Sequence, residues 1–348
     1  MKNWLRRGAF VIAAVLLVLT FVNASWLAPK PVGGVKLVAH RGVYQLYDHK
    51  GGRDRCTADL IEQPVHDMLE NTTRSMQAAA RIGADMVEID IAPTTDGRIA
   101  VFHDWTLECR TDGKGEIRER TMAELKALDI GHGYTADGGK TYPFRGRFKG
   151  DMPTLEEALA ALPNTPIIFN FKSKDPGEAD LLAAALKAAG RDVVERRDAF
   201  YGHSGPVDRI RTHFPKAWAW TKDDAKACTK DYALYGWTSI VPASCRNGIL
   251  MVPLNYQWAF WGWPNRLIQR MESVGAKVVV IGPRGSRAGD GLTLPEQLGE
   301  IPSSFSGYVW VEDIWTVGPA LRPSRDFRSQ AQIEAAEAGL RRRREGME

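Results

Sequence analysis

Two histidines each close an apolar stretch. His40 follows Lys36–Ala39 and leads into Arg41 and Gly42; His103 follows Arg98–Phe102 and leads into Asp104. Glu88 and Asp90 stand two apart in the apolar run Met86–Ile91, and Asn170 and Lys172 stand two apart near the end of Pro166–Phe171. Side chains alternate along a strand, so each pair shares a face. Two carboxylates buried on one face are costly unless a cation neutralises them. With the amide oxygen of Asn170 they make a set of hard donors suited to one divalent ion, Mg²⁺ or Ca²⁺. Two imidazoles beside that ion can exchange protons near neutral pH. Arg41, with its bidentate fork, and Lys172 suit an anionic substrate. Together these groups predict phosphoester hydrolysis. Taken singly each has a plainer reading: a strand-end histidine is more often structural, and Glu-x-Asp is commonly a solvated face. The weight lies in their all falling at strand ends.

Strand ends are where barrel enzymes build their sites, and the rest of the chain supplies such a frame. Strands are expected at Lys36–Ala39, Met86–Ile91, Arg98–Phe102, Pro166–Phe171, Ala217–Trp220, Ile249–Leu254, Lys277–Ile281 and Tyr308–Val311. Helices are expected at Glu70–Gly83, Pro153–Leu162 and Glu178–Ala189, where apolar periodicity, Pro and Gly mark starts and stops. Repeated strand-then-helix units over residues 35–320, with no internal linker, favour an α/β fold of the TIM (β/α)8 class over a doubly wound sheet. Residues 44–67 read as an insertion, and residues 321–348 as a basic tail whose helix, Gln330–Arg344, is expected to be exposed.

The 348 residues are 44% hydrophobic and 25% charged, which excludes a disordered chain, a coiled coil and a polytopic membrane protein. Lys and Arg exceed Asp and Glu by 46 to 42, a net +4, and Arg341–Arg344 accounts for that excess. No basic face is large enough to make nucleic acid the partner. Lys2, Arg6 and Arg7 precede an apolar run from Gly8, so residues 1–30 read as an export segment. It is either an anchor crossing the bilayer once, with Trp26 at its far end, or a signal peptide cleaved after Val22-Asn23-Ala24. Both place the remainder outside the cytoplasm. Cys56, Cys109, Cys228 and Cys245 then predict two disulfides, and proximity favours Cys56–Cys109 and Cys228–Cys245.

His40-Arg41-Gly42, Glu70-Asn71-Thr72, Glu88-Ile89-Asp90, His103-Asp104 and the Pro153-Thr-Leu-Glu-Glu helix start, in this order, resemble the glycerophosphodiester phosphodiesterase family. The resemblance runs through Lys172, fades between about 200 and 300, and returns weakly at Trp310. It implies a TIM barrel, a divalent cation and cleavage of a glycerophosphodiester. It also implies His40 and His103 as the acid–base pair, Glu88 and Asp90 as metal ligands, Arg41 and Lys172 on the phosphate, and Glu70 and Asn71 ordering the ligands. Two features depart from the family. Asn170 stands where a third carboxylate is usual, which lowers expected metal affinity, and the 44–67 insertion separates the first two motifs. A disulfide from Cys56 to Cys109 would pin that insertion beside the site. Tyr256, Trp258, Phe260, Trp261 and Trp263 are expected in the core, or else at the mouth against an acyl chain or membrane. A lysophospholipid is the alternative substrate, and a non-catalytic phosphodiester-binding protein the rival reading. His49, His66, His132, His203 and His213 receive no role.

Overall fold

The structure, a computed structural model, describes residues 2–47, 56–285 and 290–345. Its strands are β1 (Lys36–Ala39), β2 (Met86–Pro93), β3 (Ile99–Val101), β4 (Ile167–Phe171), β5 (Ala199–Gly202), β6 (Trp218–Thr221), β7 (Ile249–Pro253), β8 (Lys277–Ile281) and β9 (Tyr308–Val311). All but β3 run in the order β6-β5-β4-β2-β1-β9-β8-β7, with every adjacent pair parallel. This is a nearly closed eight-stranded barrel. Across the seam between β6 and β7, the Trp218 indole N–H donates to the Gly248 carbonyl at 3.1 Å in place of a ladder.

Alternation divides the strand residues into two cores. Val38, Met86, Ile168, Trp220 and Val279 fill the barrel, while Leu37, Val87, Ile89, Phe169 and Phe200 face the surrounding helices. The eighth barrel strand is β5, which the sequence reading did not assign. The expected strand Arg98–Phe102 is instead β3, paired antiparallel with β2 and off the barrel path. The physical reason is the tight turn between them: the Thr94 N–H donates to the Arg98 carbonyl at 2.9 Å, which folds the chain straight back on itself. Beyond β3 a lobe forms its own core from Leu107, Ile117, Met122, Leu125 and Phe144. The described part of the insertion contributes Tyr44, Tyr47 and Ile61 to that core, so it is packed structure; His49 lies outside the described residues.

Other elements differ at their ends. The helix expected from Glu70 runs Thr73–Ile82, because Thr72 caps it by accepting from the Ser75 N–H and Asn71 sits at φ +57°. The closing helix, Gln330–Glu345, is not simply exposed. Ala336 and Leu340 are buried, Arg343 pairs with Asp313 at 2.7 Å and Glu62 at 3.1 Å, and Arg344 pairs with Glu296 at 2.7 Å. The arginine run meets acidic partners on three separate segments and fastens the tail to the barrel. Both disulfides, Cys56–Cys109 and Cys228–Cys245, are present. At the N-terminus the helix Lys2–Asn23 carries a 20-residue stretch, Trp4–Asn23, long and apolar enough to cross a membrane and unburied by the barrel.

Candidate active site

Register brings the sequence pairs into one layer. Glu88 and Asp90 on β2 are fully buried, and Asp90 lies level with Asn170 on β4, which lies level with Tyr201 on β5. The Asn170 amide Nδ2 is 2.9 Å from Glu88 Oε1, 2.8 Å from Asp90 Oδ1 and 2.7 Å from the Tyr201 hydroxyl. Its Oδ1 is buried without a hydrogen-bond partner. Lys172 Nζ reaches Asp90 Oδ1 at 3.3 Å.

β1 delivers the first histidine through a sharp turn. Arg41 and Gly42 both have positive φ, +59° and +81°, and a Cβ on Gly42 would meet Ser75 Oγ at 2.7 Å. Only glycine fits that approach to the Thr73–Ile82 helix. The turn lets the Arg41 backbone N–H donate to Glu88 Oε2 at 3.1 Å and sets Arg41 Nε 3.4 Å from Asp90 Oδ2. Arg41 Nε and Nη1 are buried without hydrogen-bond partners. Asn71 locks the other edge: its Nδ2 donates to Asp90 Oδ2 at 2.9 Å and its Oδ1 accepts from the Asp90 N–H at 3.1 Å. Burial works against the Asp90 charge, but Lys172, His103 and Arg41 overcome it and hold the carboxyl well below its usual range. Burial and the Asp90 charge push Glu88 up.

The two histidines sit in separate networks. His40 Nδ1 is 2.5 Å from Glu312 Oε2, which also accepts from the Tyr44 hydroxyl at 2.5 Å, while Nε2 faces Glu88 Oε2 at 3.9 Å. Burial opposes its proton, yet the Glu312 carboxylate outweighs both burial and Arg41 and raises the His40 pKa. His103 Nδ1 is 2.7 Å from Asp104 Oδ1, and Asp104 is ion-paired with Arg110, which also binds Glu70 Oε1 at 2.6 Å and Thr57 Oγ1 at 2.7 Å. Burial, then Arg41 and Lys172, push His103 down to about 3.

His40, Arg41, Asn71, Glu88, Asp90, Asn170 and Lys172 thus converge, with His103 close enough to sense the same charges. Glu70 does not touch the carboxylate pair; it orders Arg110 behind His103. Of the remaining histidines, His66 accepts from the Met68 N–H at 3.2 Å and His213 meets Asp180 at 2.5 Å, while His203 is exposed. The sequence reading missed Glu312, Arg110 and Tyr201. Glu312 follows β9 directly, so the strand-end rule applied there would have found it. Arg110 carried only its place beside Cys109, and Tyr201 lay in the unassigned strand. Among the described residues no three His, Cys, Asp or Glu side chains converge as a metal site. The third donor beside Glu88 and Asp90 is an amide. With that amide turned over, its oxygen would face the two carboxylates beside the Tyr201 hydroxyl, and the three oxygen donors together fit a hard divalent ion.

Residues 40–165 match the profile of the Glycerophosphoryl diester phosphodiesterase family. Glycerophosphodiester phosphodiesterase 1 of Mus musculus is 34% identical over 138 residues, 39% of this chain and 38% of that protein. The Glycerophosphodiester phosphodiesterase of Caldanaerobacter subterraneus is 32% identical over 124 residues, 34% of this chain and 47% of that one. The aligned part therefore spans less than half the length of either relative. A glycerophosphodiester phosphodiesterase structure from Agrobacterium tumefaciens shares the fold at TM-score 0.55 and 20% identity, over 82% of this chain and 99% of that one. An Oleispira antarctica phosphodiesterase, solved in complex with the product sn-glycerol-3-phosphate, shares it at TM-score 0.52 and 18% identity, covering 83% and 97%. The segment that supplies both histidines and both carboxylates, residues 40–165, is the one that matches the Glycerophosphoryl diester phosphodiesterase family.

Proposed function

We propose that the chain is a metal-dependent phosphoric diester hydrolase of lipid metabolism, cleaving glycerophosphodiesters to glycerol 3-phosphate and an alcohol. The observation that carries the reading is the convergence of Asn170, Lys172, Arg41 and His40 on the buried carboxylates Glu88 and Asp90. Glu88, Asp90 and Asn170 would hold one Mg²⁺ or Ca²⁺, which when bound supplies Lewis acidity at the phosphoryl oxygen. Arg41 and Lys172 grip the phosphate and neutralise charge as it develops. His103, kept neutral, takes the proton of the attacking water or neighbouring substrate hydroxyl. His40, whose proton Glu312 favours, gives that proton to the leaving alkoxide as the P–O bond breaks. Both histidines would be superfluous in a protein that only binds phosphodiesters. Helix Lys2–Asn23 anchors the barrel at the extracytoplasmic face of a membrane, the periplasmic side, where disulfides persist.

Hydrolysis of glycerophosphocholine, with and without a chelator, tests this. Release of glycerol 3-phosphate that stops on chelation and returns with Mg²⁺ or Ca²⁺ is expected; no hydrolysis, or chelator-insensitive hydrolysis, overturns it. Asn170→Glu restores a third carboxylate and should lower the metal concentration for half-maximal activity by about tenfold. Unchanged metal dependence removes Asn170 from the ligand set. The exposed Trp258 favours a second substrate, a lysophospholipid.

A further inference from the structure

Arg270 is the buried hub of the joint between the apolar helix and the barrel. Its Nη1 donates to Asn23 Oδ1 at 3.0 Å, the Tyr232 hydroxyl at 3.0 Å and the Gly236 carbonyl at 3.2 Å. Its Nη2 donates to the Val22 carbonyl at 2.9 Å and Ser239 Oγ at 2.7 Å. The last carbonyls of a helix have no partner within it, and the guanidinium takes one of them. Asn23 Nδ2 donates onward to the Trp237 carbonyl at 2.9 Å, and the Asn265 N–H donates to Ser25 Oγ at 3.0 Å. The helix end is therefore bolted to the barrel, and its direction fixes how the barrel sits.

The surface around this joint is unlike the rest. Outside the helix, twelve large hydrophobic side chains are exposed among the described residues, and nine of them lie on segments 25–27, 234–240 and 256–261. Trp26 is 77% exposed, Ile240 73% and Trp258 81%. The joint gathers all three segments: Ser25 holds Asn265, Asn23 holds Trp237, and Tyr232, itself bound by Arg270, donates to the Trp261 carbonyl at 2.8 Å. The core expectation for the aromatic loop holds only for Phe260 and in part for Trp263; Tyr256, Trp258 and Trp261 are exposed. That loop follows β7 at Pro253, on the strand-end side that carries the site. An exposed patch of this kind marks an interaction surface. Continuity with the unburied 20-residue apolar stretch Trp4–Asn23 identifies the partner as a bilayer. Tryptophan and tyrosine at the end of a span sit at headgroup level.

We propose that loop 254–263 seats in the same bilayer interface where the anchor helix ends, so that the barrel mouth opens on the lipid surface. The substrate class is then a phosphodiester whose acyl-bearing half stays in the membrane. This rests on the anchored-hydrolase reading above and adds the orientation of the mouth.

The test uses the full chain in phosphatidylcholine vesicles. All four cysteines are in disulfides, so Trp258→Cys offers a single labelling site for a nitroxide. The nitroxide should be more accessible to dissolved oxygen than to a water-soluble nickel chelate; the reverse order overturns the proposal. The double variant Trp258→Ser, Trp261→Ser should lose about tenfold in hydrolysis of vesicle-held lysophosphatidylcholine while keeping its rate on soluble glycerophosphocholine. Equal loss on both substrates, or on neither, also overturns it. A chain that hydrolyses no phosphodiester defeats the functional reading alone, and the nitroxide depth still decides the seating.

Discussion

The surroundings of His40 and His103 use the same device, a carboxylate on Nδ1, and reach opposite outcomes. Glu312 accepts from His40, Tyr44 and the Asp290 N–H, none of which carries a positive charge of its own apart from the imidazole. Among the described residues no arginine or lysine ion-pairs with Glu312, so its charge acts chiefly on His40. Asp104 is already paired with Arg110, so little of its charge is left for His103, and burial with Arg41 and Lys172 prevails. A carboxylate raises a histidine's pKa only to the extent that nothing else has neutralised it. In the proposed mechanism this difference makes His40 the acid and His103 the base, a distinction that spacing in the sequence does not carry.

The comparison breaks outright if the histidines are dispensable. His40→Ala or His103→Ala should each cut turnover by about 10²–10⁴ with the fold retained, as loss of a general acid or base does; near-native turnover with folding verified by circular dichroism sinks the assignment. Next in size is Arg110→Met, which strands Glu70 and Asp104 in the interior. Urea unfolding should show a loss of about 3–5 kcal/mol, and a change under 1 kcal/mol would mean Asp104 is not tied up as described. The finest test is pH. His40 must keep its proton to act as acid, so activity should fall as pH rises through its elevated pKa, above the ordinary 6.5. Glu312→Gln removes the charge that raises it and should move that alkaline limb down by about one pH unit. Asp104→Asn should leave the limb in place. Movement in both variants would make the two networks equivalent.

Most of the site was legible because its motifs are local. HRG, ENT, Glu-x-Asp and His-Asp lie within residues 40–104, and each sits in a strand, at a strand end or at a helix cap, where side-chain direction follows from the backbone. Asn71 shows the limit of that reasoning. Apolar spacing extended the helix back to Glu70, yet a left-handed residue before Thr72 frees both side chains for other work. β5 escaped because four residues, Ala-Phe-Tyr-Gly, carry too little alternation to stand out, and Tyr201 went with it. Glu312 stood at a strand end where the same rule applies, whereas Arg343 acts through Glu62 and Asp313, far away in sequence, and no local pattern announces such a contact.

That distance has a consequence for when the protein becomes active. Chains are made from the N-terminus and fold as they emerge. By residue 172 both histidines, both carboxylates, Arg41 and Lys172 exist, but β1 still lacks its second neighbour, β9. Glu312 arrives 272 positions after His40, and the arginine that secures the adjoining Asp313 comes later still, at 343. Until those last segments dock, His40 has Glu88 Oε2 near its Nε2 but lacks the carboxylate on its Nδ1. In the proposed mechanism the proton donor is complete only when the ring closes, so closure of the barrel and completion of the site are one event.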